Sequence, residues 1–79
     1  MQNSTTQHKT FLTSRQVTER IALSKSAIYR RMDPKDNLYD PTFPRPIKIN
    51  ETTRRWLENE IDAWMTNLIK GQREHQHAA

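Results

Sequence analysis

The sequence predicts a small, mostly α-helical domain of three helices with one β-hairpin. Three observations carry this prediction. Two helix-start signals lie close together near the N-terminus, a proline-rich connector precedes an alternating strand pattern, and an apolar stripe at helical spacing lies near the C-terminus. With 79 residues, of which 33% are hydrophobic, the chain forms one domain with a compact core. It has no cysteine, which excludes disulfides and cysteine zinc sites.

The first two helices have the same kind of start. Thr13 is placed as an N-cap, and Gln16 at the third helical position completes a capping box. Ser24 repeats the N-cap signal, and both starts are flanked by an apolar pair at the spacing of a hydrophobic staple. We therefore expect helices over 14–21 and 25–32, separated by a tight turn, which is the helix-turn-helix pattern.

A connector and a hairpin follow. The segment 33–46 contains four prolines and three aspartates, which exclude a helix. Residues 47–49 alternate as a strand does, 50–53 resemble a turn, and 54–56 return as the partner strand. A two-stranded hairpin after a helix-turn-helix is a wing, so the predicted fold class is a winged helix-turn-helix.

The last helix carries one apolar stripe over three turns, which we expect the core to use completely, leaving no dimerisation helix. The stripe consists of Leu57, Ile61, Trp64, Met65 and Leu68. Lys70 and Gly71 mark the expected end of this helix. The winged domain is therefore expected to span 11–70, with a disordered arm at 1–10 and a disordered tail at 71–79.

The positive charge is concentrated in two stretches of the chain. The formal net charge is +4 and the pI is about 9.9. Residues 14–31 hold five basic residues against one acidic residue, and residues 47–56 hold three against one, whereas 57–79 hold two against four. Such a distribution favours a polyanionic partner, either nucleic acid or an anionic membrane surface. No apolar run has transmembrane length and no signal peptide is visible, so we expect a cytoplasmic protein without a membrane partner.

The second helix divides into a packing face and a polar face. At 100° per residue, Lys25, Ser26, Tyr29 and Arg30 cover an arc of roughly 140°. Ile28 lies on the opposite side, toward the core. Cations, a hydroxyl and a phenol can hydrogen-bond to phosphate oxygens and purine edges in the major groove of DNA. The helix start at Ser24 can cap a phosphate, and Arg15 can contact the backbone.

The hairpin gives a second set of candidate DNA-binding residues, where a wing reaches the minor groove or the backbone. They are Lys48, Thr52, Thr53, Arg54 and Arg55. Strand alternation places Arg54 and Arg55 on opposite faces, and we favour Arg54 as the DNA contact because it lies nearer the tip. Basic residues on an edge strand also deter aggregation, which is the structural alternative.

No catalytic, cofactor or metal site is expected. The sequence shows no nucleophile–base pair and no phosphate-binding glycine loop, and it has a single glycine. His75 and His77 alone are too few ligands for a metal site. Glu58, Glu60 and Asp62 are explained by their position at a helix N-terminus, where the macrodipole favours anions. We therefore do not expect an enzyme.

Three segments, LSKSAIYRRM, FPRPIKI and RRWLENEIDAW, resemble the AlpA family of small phage and prophage regulators, which is related to excisionases and MerR-type proteins. The resemblance runs from about Phe11 to Leu68. It implies a winged helix-turn-helix whose second helix enters the major groove, and a role in controlling integrase genes or in prophage excision. It maps the recognition helix to Lys25, Ser26, Ala27, Tyr29 and Arg30, and the wing to 47–56.

The chain departs from the family pattern at three places. Ala22 stands where many members have glycine in the turn, and a positive φ there would cost alanine about 1 kcal/mol. Arg31 replaces an expected apolar residue and extends the basic face instead. The connector 33–42 is longer than in the shortest members, and its role is open.

The sequence thus supports a sequence-specific double-stranded DNA-binding protein of prophage type, either a transcriptional regulator or an excisionase-like factor. Its candidate partners are operator or attachment-site repeats, an integrase, and further copies of itself on DNA. One alternative is a protein-interaction module that uses the acidic face of helix 58–70. Another is non-specific binding to DNA by charge alone.

Overall fold

The computed structural model describes the backbone of residues 9–78 and the side chains of residues 9–74. The elements in chain order are β1 (Phe11–Leu12), α1 (Ser14–Ile21), α2 (Lys25–Met32), β2 (Ile47–Lys48), β3 (Arg54–Leu57) and α3 (Glu58–Ala78). The predicted fold class of three helices with a small antiparallel hairpin is confirmed. Residues 1–8 of the expected N-terminal arm lie outside the described residues.

The two predicted caps start α1 and α2. The Thr13 hydroxyl oxygen accepts a hydrogen bond from the amide of Gln16 at 3.1 Å, and the Gln16 side-chain oxygen accepts one from the amide of Thr13 at 2.8 Å. The Ser24 hydroxyl accepts one from the amide of Ala27 at 3.0 Å. These bonds satisfy amides that the helix itself leaves without a partner. They explain why both helices have the bounds that the sequence predicts.

The turn between α1 and α2 has left-handed backbone at Ala22, with φ 58° and ψ 37°. Among residues 9–78 it is the one non-glycine residue with positive φ. An L-residue with a Cβ is strained in this region by about 1–2 kcal/mol, whereas glycine is not. The turn therefore keeps the geometry of a glycine turn and carries the strain of an alanine.

β3 is the centre of a three-stranded antiparallel sheet of order β1-β3-β2. β1 aligns Leu12 with Trp56, and β2 aligns Lys48 with Arg54. The amide of Glu58 also donates to the carbonyl of Thr10 at 2.8 Å, so part of the expected arm is paired with the start of α3. The hairpin was predicted, but β1 was not, because two residues show no strand periodicity.

The core lies between the three helices, the sheet and the connector. Its seven buried side chains are Leu12, Val17, Ile28, Phe43, Trp56, Ile61 and Trp64. Phe43 anchors the connector, and its ring meets that of Trp64 edge-on at 5.0 Å between centroids. The indole N–H of Trp64 donates to the Asp40 carboxylate at 3.0 Å, which satisfies a polar group that the core would otherwise leave without a partner.

An ion-pair network joins α1 to α3. Arg20 contacts Glu58 at 2.7 Å and Asp62 at 3.2 Å through its two terminal nitrogens. All three side chains are partly exposed, so the network stabilises the fold only modestly. The network also changes the acidic face that the sequence predicts on α3. Two of its three acidic residues, Glu58 and Asp62, are paired with Arg20.

α3 is longer than predicted. It runs through Gly71 to Ala78, so the expected helix end at Lys70–Gly71 is wrong. The expected domain boundary at residue 70 stays a prediction, and Ala79 lies outside the described residues. Gly71 has no positive φ, and the residues that follow it are mostly good helix formers, so one interior glycine is tolerated at about 1 kcal/mol.

The apolar stripe of α3 also differs from the prediction at its C-terminal end. Leu68 is 48% exposed and Ile69 is 50% exposed. The core therefore does not use the whole stripe, and Leu68 instead lines an open groove with Pro44 and Ile47. No helix within residues 9–78 is both long and apolar enough to cross a membrane.

Replacing Ala22 with glycine should stabilise the protein. Relief of left-handed strain outweighs the added entropy of the unfolded chain, and we expect a gain of about 0.5–1 kcal/mol in the free energy of unfolding. Urea denaturation measures it. Ala63→Gly in the exposed part of α3 is the matched control and should lose about 1 kcal/mol. Equal destabilisation by both changes would contradict the geometry of the turn.

Asp40 should make stability depend on pH. Burial raises the pKa of Asp40, but hydrogen bonds from Thr42 and Trp64 outweigh it and hold the pKa below its ordinary value of 3.8. A carboxyl whose folded-state pKa is depressed stabilises the protein above the unfolded pKa, and this contribution is lost as pH falls through the folded pKa. Because Asp40 is only half-buried, we expect about 1 kcal/mol.

The test compares the unfolding free energies of wild type and Asp40→Asn from pH 6 down to pH 2. The advantage of the wild type should be complete above about pH 5 and should vanish at the acid end. Glu51→Gln removes an exposed carboxylate in the hairpin turn and serves as the control. Its unfolding free energy should differ little from that of the wild type at any pH in this range. A difference between wild type and Asp40→Asn that is constant with pH would be evidence against an ionised Asp40 in the folded state.

Candidate nucleic-acid interface

α2 is oriented by its buried side chain. Ile28 has no exposed surface and packs in the core, so the opposite face of the helix points outward. Lys25, Ser26, Tyr29 and Arg30 are all exposed, as the helical arc predicts. The hydroxyl oxygen of Ser24 is occupied by the amide of Ala27, which leaves its O–H as the group that can donate to an external acceptor. Ala27 itself is half-buried.

Tyr29 connects this face to the sheet. Its ring stands edge-on to that of Trp56 at 6.4 Å between centroids, with 68° between the ring planes, and the residue is 43% exposed. Offset aromatic contacts of this kind fix relative orientation and contribute about 0.5–1.5 kcal/mol. The contact thus joins the exposed face of α2 to the central strand of the sheet.

The hairpin presents its two arginines on different sides. Successive residues of a strand alternate, so Arg54 and Trp56 share one face of β3, and Lys48 is the cross-strand partner of Arg54 on that face. Because Trp56 contacts Tyr29, this face is the one turned toward α2. Arg54 is exposed, whereas Arg55 is half-buried and donates a hydrogen bond to the carbonyl of Arg54 at 2.8 Å.

The turn of the hairpin is held by Asn50. Its side-chain oxygen accepts the amide of Thr52 at 3.0 Å, and the amide of Ile49 donates to the carbonyl of Thr53 at 2.8 Å. Thr52 is exposed and Thr53 is half-buried. Near the tip, the Lys48 ammonium lies 3.7 Å from the Glu51 carboxylate, a weak and exposed pair that an external phosphate can displace.

Arg30 has a partner that sequence analysis missed. Its Nε donates to a carboxylate oxygen of Asp36 at 3.0 Å. The other carboxylate oxygen of Asp36 accepts the amide of Leu38 at 2.8 Å. The backbone bond from Leu38 and then the bond from Arg30 lower the pKa of Asp36 from its ordinary value. No local sequence pattern predicts the Arg30–Asp36 pair, because the pair depends on how the connector folds back onto α2.

Arg31 faces a different environment from Arg30. It is half-buried, and its guanidinium donates to the carbonyl of Ala27 at 3.0 Å. Its own carbonyl accepts the amide of Asp40 at 2.9 Å, so the end of α2 is tied to the connector at this residue. That Arg31 extends the basic face toward a ligand stays a prediction.

Arg15 lies beside the start of α2. Its side chain is 87% exposed, and its Nε stands 3.7 Å from the Glu19 carboxylate one turn along α1. Arg15 lines a shallow groove of about 480 Å³ together with Ser24 and Lys25. The structure thus brings the three predicted residues at this end of the site around one depression of the surface.

Among residues 9–74, no group of three or more metal-ligating side chains lies together. His75 and His77 lie outside the described side chains. The predicted residues on α2 and the hairpin instead form a surface of hydrogen-bond donors and cations. Such a surface is suited to binding an anionic polymer.

Two helices joined by a tight turn, followed by an antiparallel hairpin whose strand β3 contacts the second helix through the Tyr29–Trp56 ring pair, define a winged helix-turn-helix protein. Comparison with known families gives the particular class. The family model described as Prophage CP4-57 regulatory protein (AlpA) matches residues 10–69. The chain belongs to this family of prophage regulatory proteins, and the resemblance drawn from the sequence is confirmed.

A curated relative agrees with the family assignment. The chain is 32% identical over 54 residues to the DNA-binding transcriptional activator AlpA of Escherichia coli (strain K12), and the match covers 68% of this chain and 77% of the relative. No solved structure matches the chain significantly.

Proposed function

We propose that this protein is a sequence-specific, double-stranded DNA-binding regulator of prophage type. One observation carries the proposal: the ring of Tyr29, on the exposed face of α2, contacts the ring of Trp56, which lies on the same face of β3 as Arg54. We infer from it that the exposed face of α2 and the Lys48–Arg54 face of the hairpin are turned to the same side. A helix and a wing on one side can contact a major groove and the backbone beside it together. The name of the E. coli relative, a DNA-binding transcriptional activator, supports the same function.

In this proposal α2 enters the major groove. Arg30 and Lys25 approach base edges, where an arginine can donate two hydrogen bonds to one guanine. Ser24 and Arg15 hold the phosphate backbone at the start of α2, and the cations of the hairpin hold it on the other side. Ala27 leaves space at the helix surface, because its side chain is a single methyl group.

We propose two more specific roles for the same DNA-binding surface. The same surface serves a transcriptional regulator of integrase genes and an excisionase-like factor that acts on attachment-site repeats. One domain of this size makes few base contacts, so we propose that several copies bind repeated or inverted sites. An integrase is the proposed protein partner, and the cytoplasm is the proposed location.

Arg30→Ala tests the role of α2. Fluorescence-anisotropy titrations should compare a duplex from the protein's own gene neighbourhood with a scrambled duplex across salt concentrations. The wild type should bind the native duplex at least about tenfold more tightly, which corresponds to roughly 1.4 kcal/mol. Arg30→Ala should reduce that difference by about 1–3 kcal/mol and should change scrambled binding less.

Lys70→Ala is the matched control, since it removes one exposed positive charge on α3, distant along the chain from α2 and the hairpin. It should lower both affinities slightly and leave their ratio unchanged. Equal, steeply salt-dependent binding of both duplexes by the wild type would leave only non-specific binding. Absence of binding at low salt would contradict the proposal.

The two wing arginines provide an internal comparison. Arg54→Ala should weaken DNA binding and lower the slope of log affinity against log salt by about 1, because a phosphate contact is lost. Arg55→Ala removes the same charge from the opposite face of β3 and should change the slope by less than half as much. A larger effect at Arg55 would place the DNA on the other side of the hairpin.

The alternative function, a protein-interaction module, would use the acidic face of α3. Fewer carboxylates are available on this face than the sequence suggests. Arg20 binds Glu58 and Asp62, so Glu60 is the one exposed carboxylate of the three that is not part of this network. Reversing Glu58 and Asp62 would disturb the α1–α3 contact as well as the surface. Glu60→Lys is therefore the informative change: partner binding lost on Glu60→Lys but kept in Arg30→Ala would favour the alternative.

A further inference from the structure

Asp36 lies in the connector beside the exposed face of α2. The Nε of Arg30 donates to it at 3.0 Å, in a pair whose arginine side chain is 51% exposed and whose aspartate side chain is 21% exposed. A partly exposed ion pair of this kind contributes little to folding. The stability of the fold therefore does not account for the position of the Asp36 carboxylate beside Arg30.

The connector holds Asp36 in place independently of Arg30. The amide of Leu38 donates to the second carboxylate oxygen at 2.8 Å, and the amide of Asp36 donates to the carbonyl of Asp33 at 3.0 Å. The carbonyl of Asp36 in turn accepts the amide of Tyr39 at 3.0 Å. Three local bonds therefore fix the backbone and the side chain, and the carboxylate is a stationary acceptor for the arginine.

The pair uses one edge of the guanidinium and leaves the other available. Asp36 takes the Nε donor, and within residues 9–74 no other side chain pairs with Arg30. The terminal edge, formed by the two Nη atoms, is the fork that donates two parallel hydrogen bonds to a guanine or a phosphate. Holding the arginine at Nε removes part of the rotamer freedom that the side chain would otherwise lose on binding.

Asp36 favours a base contact by positioning Arg30, but its negative charge disfavours the binding of DNA in general. A carboxylate next to the binding face repels phosphates, and it already neutralises part of the charge of Arg30. DNA of the wrong sequence does not offer Arg30 a matching pair of acceptors on one base, so it meets the repulsion without the compensating two-bond contact. DNA with the right base gains the preorganised two-bond contact.

We propose that Asp36 is a specificity-determining residue that positions Arg30 for a base edge and weakens the binding of DNA without the matching base. This inference rests on the proposed DNA-binding function. It also gives the connector 33–46 a role: its folded path carries an acidic group to the recognition helix.

Asp36→Asn tests the proposal with a minimal change. Asparagine keeps an oxygen for the amide of Leu38 and removes the charge from the side that faces Arg30. Asp33→Asn is the matched control: it removes the same charge from the same connector, and its oxygen accepts only the amide of Lys35, at 3.0 Å. Urea denaturation of both variants verifies that the fold is kept.

The readout is the ratio of scrambled to native dissociation constants. In Asp36→Asn this ratio should fall by about threefold to tenfold, mostly because scrambled DNA binds more tightly. Asp33→Asn should change the ratio less than twofold. In the Arg30→Ala background, Asp36→Asn should leave the ratio unchanged, since the residue that Asp36 positions is missing. In ¹⁵N-labelled protein, the Arg30 Nε–H signal should also shift in Asp36→Asn and not in Asp33→Asn.

The outcomes separate this inference from the function on which it rests. If the wild type does not distinguish the two duplexes, the proposed function fails. If the wild type distinguishes them and Asp36→Asn keeps the full ratio, only the role of Asp36 is overturned. An equal fall in Asp33→Asn, or an unchanged Arg30 Nε–H signal in Asp36→Asn, also overturns that role, because the effect would then not act through the Arg30 pair.

Discussion

The burial of Trp56 is the constraint on which the rest of the structure depends. The residue lies on the central strand, is 1% exposed, and is paired with Leu12 across the sheet. Its indole N–H donates to the carbonyl of Pro44 at 3.2 Å, which fixes the end of the connector, and its ring meets Tyr29 of α2. One side chain therefore contacts the first strand, the connector and α2 at the same time. The proposed interface is a consequence of core packing and not of the surface residues alone.

Not every cation near this interface is available to a ligand. Arg20 binds two carboxylates of α3, and Arg45 donates to the carbonyl of Met32 and stacks over the Tyr39 ring at 5.6 Å. These arginines hold elements together, whereas Lys25 on α2 and Arg54 on the hairpin are exposed. The excess of positive charge in the sequence thus divides into cations that hold the fold and cations that are free to meet an anionic partner.

Local chemistry explains which parts of the fold were predictable. The caps at Thr13 and Ser24 involve residues three positions apart, so the bounds of α1 and α2 follow from sequence. β1 and the bond between Thr10 and Glu58 join segments distant in the chain and leave no local pattern. The end of α3 was wrong because a glycine alone does not stop a helix whose following residues favour it. The polar face of α2 was predictable from helical spacing, but its Asp36 partner was not, since only the folded connector brings it there.

We propose that α2 and the hairpin bind DNA as one surface. A titration of ¹⁵N-labelled protein with duplexes from its gene neighbourhood, followed by backbone amide shifts, is the test. The prediction is that the amides of residues 24–31 and 48–54 shift together at one midpoint, while those of residues 66–74 in the exposed part of α3 do not. Shifts confined to α3, or separate midpoints for the helix and the hairpin, would contradict it.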